Sequence, residues 1–556
     1  MSLLLFLAPM LQGSYVNFEG SQTSPVCLSL SGNRLFAVNT PDAGLSVFTL
    51  NGMESPELEL EIPVGLEPVS VAALTEDQVW VVNQVSDSIS IVSVKGGLVI
   101  ETLQTGDHPE DIVFAGDRAF VSVGGRNELL VYNAFSFQLV RRIPLNGVHP
   151  SALAVSKDHK EVYVVFTFSG NRTTVLPPDK APLQTFPDRN ELPPHKTAMI
   201  VNADDPEWRE TLGYSLVDHD VARIDAESLE VKEYYSHIGT ILFGIAVHPL
   251  NGDLYVSNTE ARNQVRFQSV LRGHVVDHRV TRIIPESGHS EVFDLNADTD
   301  YSLLPNPEAR NLALAQPTAL KFDASGNTLF LAAFGSDRLA EMHPKGTISS
   351  RADLNQLNSP LGETKLRRGP RGLAFDGPRH RVYVLNRISN TLSVYDTVSK
   401  GFLTELAVGR NDPTPMEVKL GRGFLYDAGL SGNGLISCAV CHIDGESDRL
   451  AWDLGDPFGQ PFHRVIEIFH QGPTQSMIHP FKGPLVTQTL RGLSENEPFH
   501  WRGDRPDLES FNDTFEDLMG GKRLSEPGMK LFKRFLLSLE YSANPNLTLM
   551  GSLPEM

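Results

Sequence analysis

The stretch ISCAVCHIDG, residues 436–445, brings together the side chains best suited to chemistry in this chain. Cys438 and Cys441 are separated by two residues, and His442 follows directly. Such spacing serves a thioredoxin-like redox pair, half of a zinc site, or the covalent attachment of a haem. The redox pair makes no use of the histidine. The zinc site needs further ligands, yet the remaining cysteine, Cys27, falls in a predicted core strand.

The haem interpretation uses every residue of the motif. The Cys438 and Cys441 thiols would bond to the porphyrin, and the His442 imidazole would bind the iron from the proximal side. The motif therefore predicts one covalently bound haem c. A haem c is attached outside the bacterial cytoplasm, so we expect a periplasmic or extracellular protein.

The segment that must position this motif resembles known haem domains. The run GRGFLYDAGLSGNGLISCAVCHIDG is similar to the opening of a c-type cytochrome. The downstream TLR, FHWRG and LESFNDTFEDLMGG stretches resemble the C-terminal haem domain of bacterial cytochrome c peroxidases. Bacterial chains that join a propeller to a cytochrome share the phrases LAWDLGDP and FHWRGDR, and both stand here. The resemblance implies a small all-α cytochrome c domain over 420–550, with a helix over 508–519.

The resemblance also implies the sixth iron ligand. Met519 ends the expected helix, as the distal methionine does in the peroxidase domain, and the alternative is a methionine of the core. Met477 and His479 are the competing ligands. Related sequences often carry methionine where Phe481 and Leu485 stand, and this weakens the case for ligation from that loop.

Further charged and polar residues surround these candidates. The candidates for contacts with the haem propionates are Arg491, Arg502 and Arg505, because buried carboxylates need charged partners. Ordinary surface positions would suit these arginines equally. Three histidines are expected to be structural or to lie around the ligands: His463, His470 and His500. For His500, in a turn, we expect a hydrogen bond to the backbone.

A repeat organises the chain ahead of this segment. Its first strand begins seven times, at Pro25, Pro68, Pro109, Pro150, Leu242, Pro317 and Pro370. Its second strand carries an aromatic residue each time: Phe36, Trp80, Phe120, Tyr163, Tyr255, Phe330 and Tyr383. Small residues recur in the first strand, as at Cys27, Ser70, Ala152, Gly244, Ala319 and Gly372. Four short strands in each unit are typical of a propeller blade, with the small residues at the crowded hub.

The repeat resembles the YVTN family of seven-bladed propellers, to which the phrase VYVLNRISNTLSVYD is close. The predicted fold is mainly β: a seven-bladed propeller over 15–415, followed by the cytochrome domain. Insertions are expected near 170–217 and 262–315. Long insertions in repeats often carry binding sites, and these contain four histidines that offer a substrate or metal site: His195, His274, His278 and His289.

Composition narrows the function classes. The formal net charge of -21 argues against nucleic acid as a partner, because phosphate binding needs a basic surface. Residues 1–14 contain a short apolar run that we interpret as a signal segment, the alternative being a buried first strand. No other segment is apolar and long enough to cross a bilayer, so we predict no transmembrane segment.

The main functional hypothesis is one-electron transfer with a redox partner protein or a small-molecule donor or acceptor. The propeller would serve as a docking or ligand-recognition platform. The alternative is a haem c-dependent, peroxidase-related oxidoreductase, with a substrate or metal site on the propeller face and the haem as electron exit. A non-catalytic binding protein is the second alternative. A single CxxCH motif excludes a complete di-haem peroxidase unless a partner brings the other haem.

Overall fold

Seven four-stranded antiparallel sheets form a seven-bladed β-propeller, which confirms the mainly β fold. This computed structural model describes residues 15–53, 55–183, 197–356, 366–460, 462–468 and 472–542, with only the backbone described between 462 and 478. The expected signal segment, residues 1–14, lies outside the described residues. No helix in the described ranges is long and apolar enough to cross a membrane.

The first four blades follow one another along the chain. Blades one and two comprise β1 (Val26–Leu28), β2 (Arg34–Asn39), β3 (Gly44–Thr49) and β4 (Glu57–Pro63), then β5 (Pro68–Ala73), β6 (Gln78–Asn83), β7 (Ser88–Ser93) and β8 (Leu98–Gln104). Blades three and four comprise β9 (Pro109–Ala115), β10 (Arg118–Val123), β11 (Glu128–Asn133) and β12 (Leu139–Pro144), then β13 (Pro150–Val155), β14 (Glu161–Phe166), β17 (Val221–Asp225) and β18 (Val231–Tyr235). The hairpin of β15 (Thr173–Leu176) with β16 (Met199–Asn202) and the helix α1 (Pro206–Leu212) stand between the second and third strands of blade four.

The remaining blades complete the ring. Blade five comprises β19 (Ile241–Val247), β20 (Leu254–Ala261), β21 (Val276–Ile284) and β22 (His289–Asp294). Blades six and seven comprise β23 (Pro317–Phe322), β24 (Leu329–Ala333), β25 (Arg338–Met342) and β26 (Ile348–Asp353), then β27 (Pro370–Asp376), β28 (Arg381–Asn386), β29 (Thr391–Asp396) and β30 (Gly401–Ala407). The short helices α2 (Gln268–Leu271) and α3 (Pro307–Leu312) flank the outer strands of blade five. The stretch 262–315, expected as an insertion, therefore contains two strands of blade five. The charged residues in VDHRVTRII, which forms β21, make this strand hard to recognise in the sequence.

The aromatic residue of each second strand packs between neighbouring blades, as predicted. Trp80 of blade two is fully buried and shares an apolar cluster with Val121 of blade three. Tyr383 of blade seven is equally buried and packs with Val26 and Leu35 of blade one, so the same contact closes the ring. Burying a large aromatic side chain removes apolar surface from water at every blade interface and fixes the order of the blades.

Small residues in the first strands are explained by crowding at the hub. A Cβ atom on Gly244 would lie 2.5 Å from the carbonyl oxygen of Thr318 in the next blade. A Cβ atom on Gly372 would lie 2.5 Å from the Cγ of Pro25. Distances this short exclude any side chain, so glycine is required where adjacent inner strands come closest.

The segment after blade seven contains both helices and strands. Its helices are α4 (Met416–Tyr426), α5 (Thr514–Asp517) and α6 (Glu526–Leu536); its strands are β31 (Ala451–Trp452), β32 (Phe462–Ile468), β33 (Gly472–Ile478) and β34 (Leu485–Val486). A distinct all-α domain, as the resemblance implied, is not evident. The helix expected over 508–519 is also wrong as a single element, because a 3-10 turn at Glu509–Phe511 precedes the short α5.

This segment and the propeller share one apolar core. Phe334 and Ile388, on propeller loops, belong to the same buried cluster as Tyr426 of α4 and Phe535 of α6. Helices α4 and α6 pack closely, since a Cβ atom on Gly421 would lie 2.2 Å from a backbone oxygen of α6. Among the described residues, the C-terminal segment therefore packs onto the propeller through a cluster of buried apolar residues to which both contribute.

Candidate functional site

Local hydrogen bonds shape the loop that carries the CxxCH motif. The Ser431 hydroxyl accepts from the backbone N–H groups of Gly434 and Leu435, at 3.0 Å each. The ring of His278 in blade five donates to the Leu435 carbonyl at 2.7 Å and so connects the loop to the propeller. A 3-10 turn at Cys438–Val440 follows, in which the His442 N–H donates to the Cys438 carbonyl at 3.0 Å.

The three reactive side chains of the motif are partly buried beside the apolar core. Cys438, Cys441 and His442 are each partly exposed, whereas Ala439 and Val440 between the cysteines are buried. Both cysteines pack against the shared apolar core and form no disulfide. The fold therefore leaves two thiols and one imidazole partly accessible beside the apolar core.

The protonation states suit haem attachment better than a thiolate site. Burial raises the pKa of the Cys438 thiol to about 12, and burial together with the neighbouring Asp448 raises the pKa of Cys441. Burial also lowers the pKa of His442 to about 4, although the Gln488 backbone carbonyl opposes this shift. A neutral imidazole is the form that binds iron, and protonated thiols lack the reactivity of a redox cysteine.

One buried polar atom of the motif has no hydrogen bond among the described residues. The Nδ1 atom of His442 is buried and has no hydrogen-bond partner within the described ranges. An imidazole bound to a metal through one nitrogen is commonly held by a hydrogen bond from the other. Two thiols, a neutral imidazole and an apolar surround match the donor set of a covalently held haem, so these residues fit that group.

Met519 lies in the same core as the motif. It is 1% exposed and belongs to the apolar cluster against which Cys438 and Cys441 pack. Its backbone carbonyl accepts from the Gly432 N–H at 2.9 Å, which links the end of the α5 turn to the loop before the motif. The assignment of Met519 as sixth ligand stays a prediction.

The alternative ligands are placed only in part. His479 accepts from the Phe481 N–H at 2.9 Å through Nδ1. The side chains of His463, His470 and Met477 lie outside the described residues.

His500 differs from expectation, because its ring bonds to a carboxylate. Its Nδ1 pairs with the Asp504 carboxylate at 2.8 Å, and its ring meets Phe511 edge-on at 4.9 Å. The expectation of a hydrogen bond from this ring to the backbone is therefore corrected. The carboxylate lies four residues on in the same turn, within reach of the ring.

The three candidate arginines all bond to protein groups. Arg491 donates to four backbone carbonyls, among them those of Asp444 and Glu540, and pairs with Glu446. Arg502 donates to the His479 carbonyl at 2.9 Å and pairs with Asp504 at 3.2 Å. Arg505 donates to the Ser510 carbonyl at 3.0 Å and lies over the Phe511 ring. Arg491 thus holds the first and last segments of the described chain against the motif loop, and the propionate roles stay predictions.

A buried charge network joins the motif loop to the propeller. Asp444, two residues after His442, pairs with Arg371 at 2.8 Å and Arg387 at 3.0 Å, both from blade seven. Glu19 pairs with Arg387 at 3.1 Å and with Arg422 of α4 at 3.0 Å. Burial alone would raise the pKa of Glu19, but Arg422 and Arg387 hold it below its usual value. Sequence analysis missed these residues, because no motif marks them.

A cavity of about 340 Å³ lies at the hub of the propeller, directly behind the motif loop. Inner-strand residues such as Gly244, Thr318 and Ala319 form one side of it. The loop after the motif, from Ile443 to Arg449, forms part of the opposite side. The loop that follows the motif therefore closes one side of the hub cavity.

An acidic residue and a histidine are held together in this cavity. Glu110 is 1% exposed, and its carboxylate accepts from Gln84 at 2.7 Å and Ser21 at 3.0 Å and pairs with the His149 ring at 3.0 Å. The His149 ring meets Phe168 at 5.2 Å. This pair offers a proton donor and acceptor to a molecule in the cavity.

Sequence reasoning missed the hub histidines, although a signal was present. His108 and His149 both precede the proline that opens a first strand, and Glu67 occupies the same repeat position. All three have left-handed backbone, with φ of 56°, 61° and 49°. Because this repeat position falls at the mouth of the hub, polar residues there indicate a site.

The insertion histidines do not gather into a metal site among the described residues. His274 pairs with Asp277 at 2.6 Å and stacks on Tyr301, whereas His278 is buried and bonded to the backbone. His289 is exposed, and His195 lies outside the described residues. Within the described ranges, the group with three metal-type ligand atoms close together lies elsewhere, at Asp87, Asp107 and His108.

Comparison with known proteins supports the fold and goes no further. No protein-family model and no curated protein matches the chain. Among solved structures, a hydrazine synthase chain of Kuenenia stuttgartiensis is similar, with 18% identity and a TM-score of 0.51, covering 69% of this chain and 98% of that one. A putative 6-phosphogluconolactonase of Bacteroides uniformis has 14% identity and a TM-score of 0.39, covering 59% of this chain and 82% of that one. At such identity the likeness to the first shows a shared fold alone.

Proposed function

We propose that this chain is a bacterial haem c protein of the periplasm or cell exterior that transfers one electron at a time. The observation that carries the proposal is the joint placement of Cys438, Cys441 and His442, partly exposed on a short turn beside an apolar core that contains Met519. A bound haem would supply a one-electron couple.

The residues of the chain divide the work of holding such a group. The two cysteine thiols would provide the covalent bonds, and the neutral His442 ring would provide a nitrogen ligand. Met519 is the candidate for the second axial ligand, and His/Met ligation raises the reduction potential. With His442 and Met519 both bound to iron, no ligand position would remain for peroxide or oxygen, and this would favour electron transfer over bond cleavage.

The propeller serves as the platform in this proposal. The charge network around Asp444 and Glu19 fixes the motif loop to blade seven and to the segment that precedes blade one. A rigid mount keeps the distance between the redox centre and a docked partner constant. The net charge of -21 suits a redox partner with a basic surface.

The hub cavity favours a second candidate function. In that case the chain is an oxidoreductase whose substrate occupies the cavity and whose haem is the electron exit. The observation in favour is that residues 443–449, directly after the proximal histidine, line the cavity. Oxidation of the substrate would require a proton acceptor, and the Glu110–His149 pair is placed to act as one.

A redox titration of the full chain, matured in a bacterial periplasm, tests the proposal. We expect a visible spectrum of one six-coordinate haem c that titrates with the slope of a single electron. Replacing Cys438 and Cys441 by alanine should abolish the spectrum. Cys27→Ala is the matched control, since Cys27 lies in β1 of the propeller, and should leave the spectrum unchanged. A spectrum unaffected by the double replacement would refute the proposal.

A further inference from the structure

We propose that the hub cavity is a binding site for a small organic carboxylate, anchored by Arg449. The inference deepens the proposed function, and a role for the ligand in electron transfer rests on that function. The binding itself rests on the cavity alone. Three observations support it: an unpaired cation, unsatisfied buried polar atoms, and a polar and aromatic wall opposite.

The unpaired cation is Arg449, on the loop after the motif. Its guanidinium lies 4.5 Å from the centre of the Phe168 ring, which flattens it against one wall of the cavity. The other two arginines of the lining are paired, Arg371 with Asp444 and Arg491 with Glu446. Arg449 has no ion pair in the part of the chain that the structure describes. A carboxylate matches the two-pronged geometry of such a free guanidinium.

Two buried polar groups of the lining have unused hydrogen-bonding capacity. Arg371 is 5% exposed, and its Nη1 has no partner among the described residues, while its other nitrogens bond to the Gln22 carbonyl and Asp444. Gln22 is 3% exposed, and its Oε1 is also without a partner there. A buried donor without a hydrogen bond destabilises the protein by about 1–3 kcal/mol, so a polar ligand or ordered water that bonds to this donor binds more tightly.

The hydrogen bonds of the cavity's carboxylates decide the sign of the ligand. The Glu110 oxygens already accept from Gln84 and Ser21 and bond to the His149 ring, so they have little capacity left to bind a cation. Arg449 by contrast is exposed and has no ion pair in the described ranges, because the nearby Glu446 pairs with Arg491. An anion is therefore favoured over a cation, and its hydroxyl or carbonyl group would meet the Glu110–His149 pair.

The dimensions and the rings define the rest of the ligand. About 340 Å³ is at the lower end for small-molecule sites. The Phe168 and Phe243 rings line the cavity together with the polar groups. We therefore expect a compact acid, aliphatic or with one ring, in preference to a nucleotide or an oligosaccharide.

Calorimetric titration of the full chain with two matched probe pairs tests the inference. Lactate is compared with lactamide, and benzoate with benzamide, so that only the charge changes. At least one acid should bind, and it should bind at least about tenfold more tightly than its amide, since a charge-assisted hydrogen bond is lost. Arg449→Gln should weaken the binding of the acid by a similar factor. Arg141→Gln, an exposed arginine on the outer strand of blade three, should have no effect.

Three results would overturn the inference: no heat with either acid up to about 50 mM, equal affinity for acid and amide, or an unchanged affinity in Arg449→Gln. The comparison of acid with amide uses the unaltered protein, so it stands even if a variant folds poorly. Haem content is measured on the same samples. A haem-loaded chain that ignores the acids refutes the site alone, whereas a chain that binds them but never carries haem refutes the proposed function.

Discussion

Replacing Asp444 by asparagine removes the charge that connects the motif loop to blade seven. Asp444 is 7% exposed and has left-handed backbone, with φ of 49°, which asparagine tolerates. Its two oxygens pair with Arg371 at 2.8 Å and Arg387 at 3.0 Å. The substitution keeps the shape of the side chain, deletes the negative charge and replaces one acceptor oxygen by an NH2 donor that would face an arginine.

The magnitude follows from what each arginine retains. Arg387 keeps Glu19 at 3.1 Å, whereas Arg371 has no second ion pair within the described ranges. Removing one partner of a buried pair costs about 3–5 kcal/mol, because the other charge stays buried and uncompensated. Since only one of the two arginines is left alone, we expect a loss near the lower value, about 3 kcal/mol in the free energy of unfolding.

Urea denaturation measures this loss, with tryptophan fluorescence as the readout. The double-mutant cycle of Asp444→Asn with Arg371→Gln should give an interaction energy of about 1–3 kcal/mol. Asp158→Asn is the matched control, because the Asp158 pair with Lys160 is exposed and long, at 3.8 Å, and such pairs contribute little. A loss below about 1 kcal/mol, or strictly additive single substitutions, would refute the argument that the buried pair holds the loop.

Three further predictions follow from named contacts. Gly421→Ala should lower the free energy of unfolding in urea by about 1–3 kcal/mol, because its Cβ would lie 2.2 Å from the Leu531 carbonyl oxygen. Gly401→Ala is the control and should be neutral, because the space around Gly401 is open. Met519→Ala should remove the sulfur-to-iron absorption band of the haem-loaded chain and lower its potential; an unchanged band would assign the sixth ligand elsewhere. Burial raises the pKa of Glu67 from 4.5 to about 7, so the folded state loses stability as the pH rises between these values. Glu67→Gln should therefore increase the free energy of unfolding by up to about 3 kcal/mol at pH 8 and by almost nothing at pH 4. Equal effects at both pH values would contradict this assignment.

The propeller was predictable because its repeat is enforced by burial at every interface. Phe36 and Trp80 occupy the same place in successive units, and both are fully buried. Gly244 and Gly372 reveal the hub in the same way, since no side chain fits there. Because every blade buries the same positions, the same residue types recur at those positions in the sequence.

The hub site was not predictable, because ring closure alone brings its residues together. Glu110 and His149 belong to different blades, and Arg449 comes from the loop after the motif. The shared core is a similar case: Phe334 and Tyr426 are far apart in sequence and meet only when the C-terminal segment docks. The resemblance to haem domains pointed to a separate helical unit and contained no information on this docking.

In the proposed function, Cys438 and Cys441 hold a haem through covalent bonds. The most direct measurement is the mass of the periplasmically matured chain after denaturation and extraction with acidified acetone. We expect a coloured polypeptide that is heavier by one haem, and a colourless polypeptide without this added mass when both cysteines are replaced by alanine. A colourless wild-type polypeptide, with its pigment in the solvent or with none at all, would contradict the proposed function.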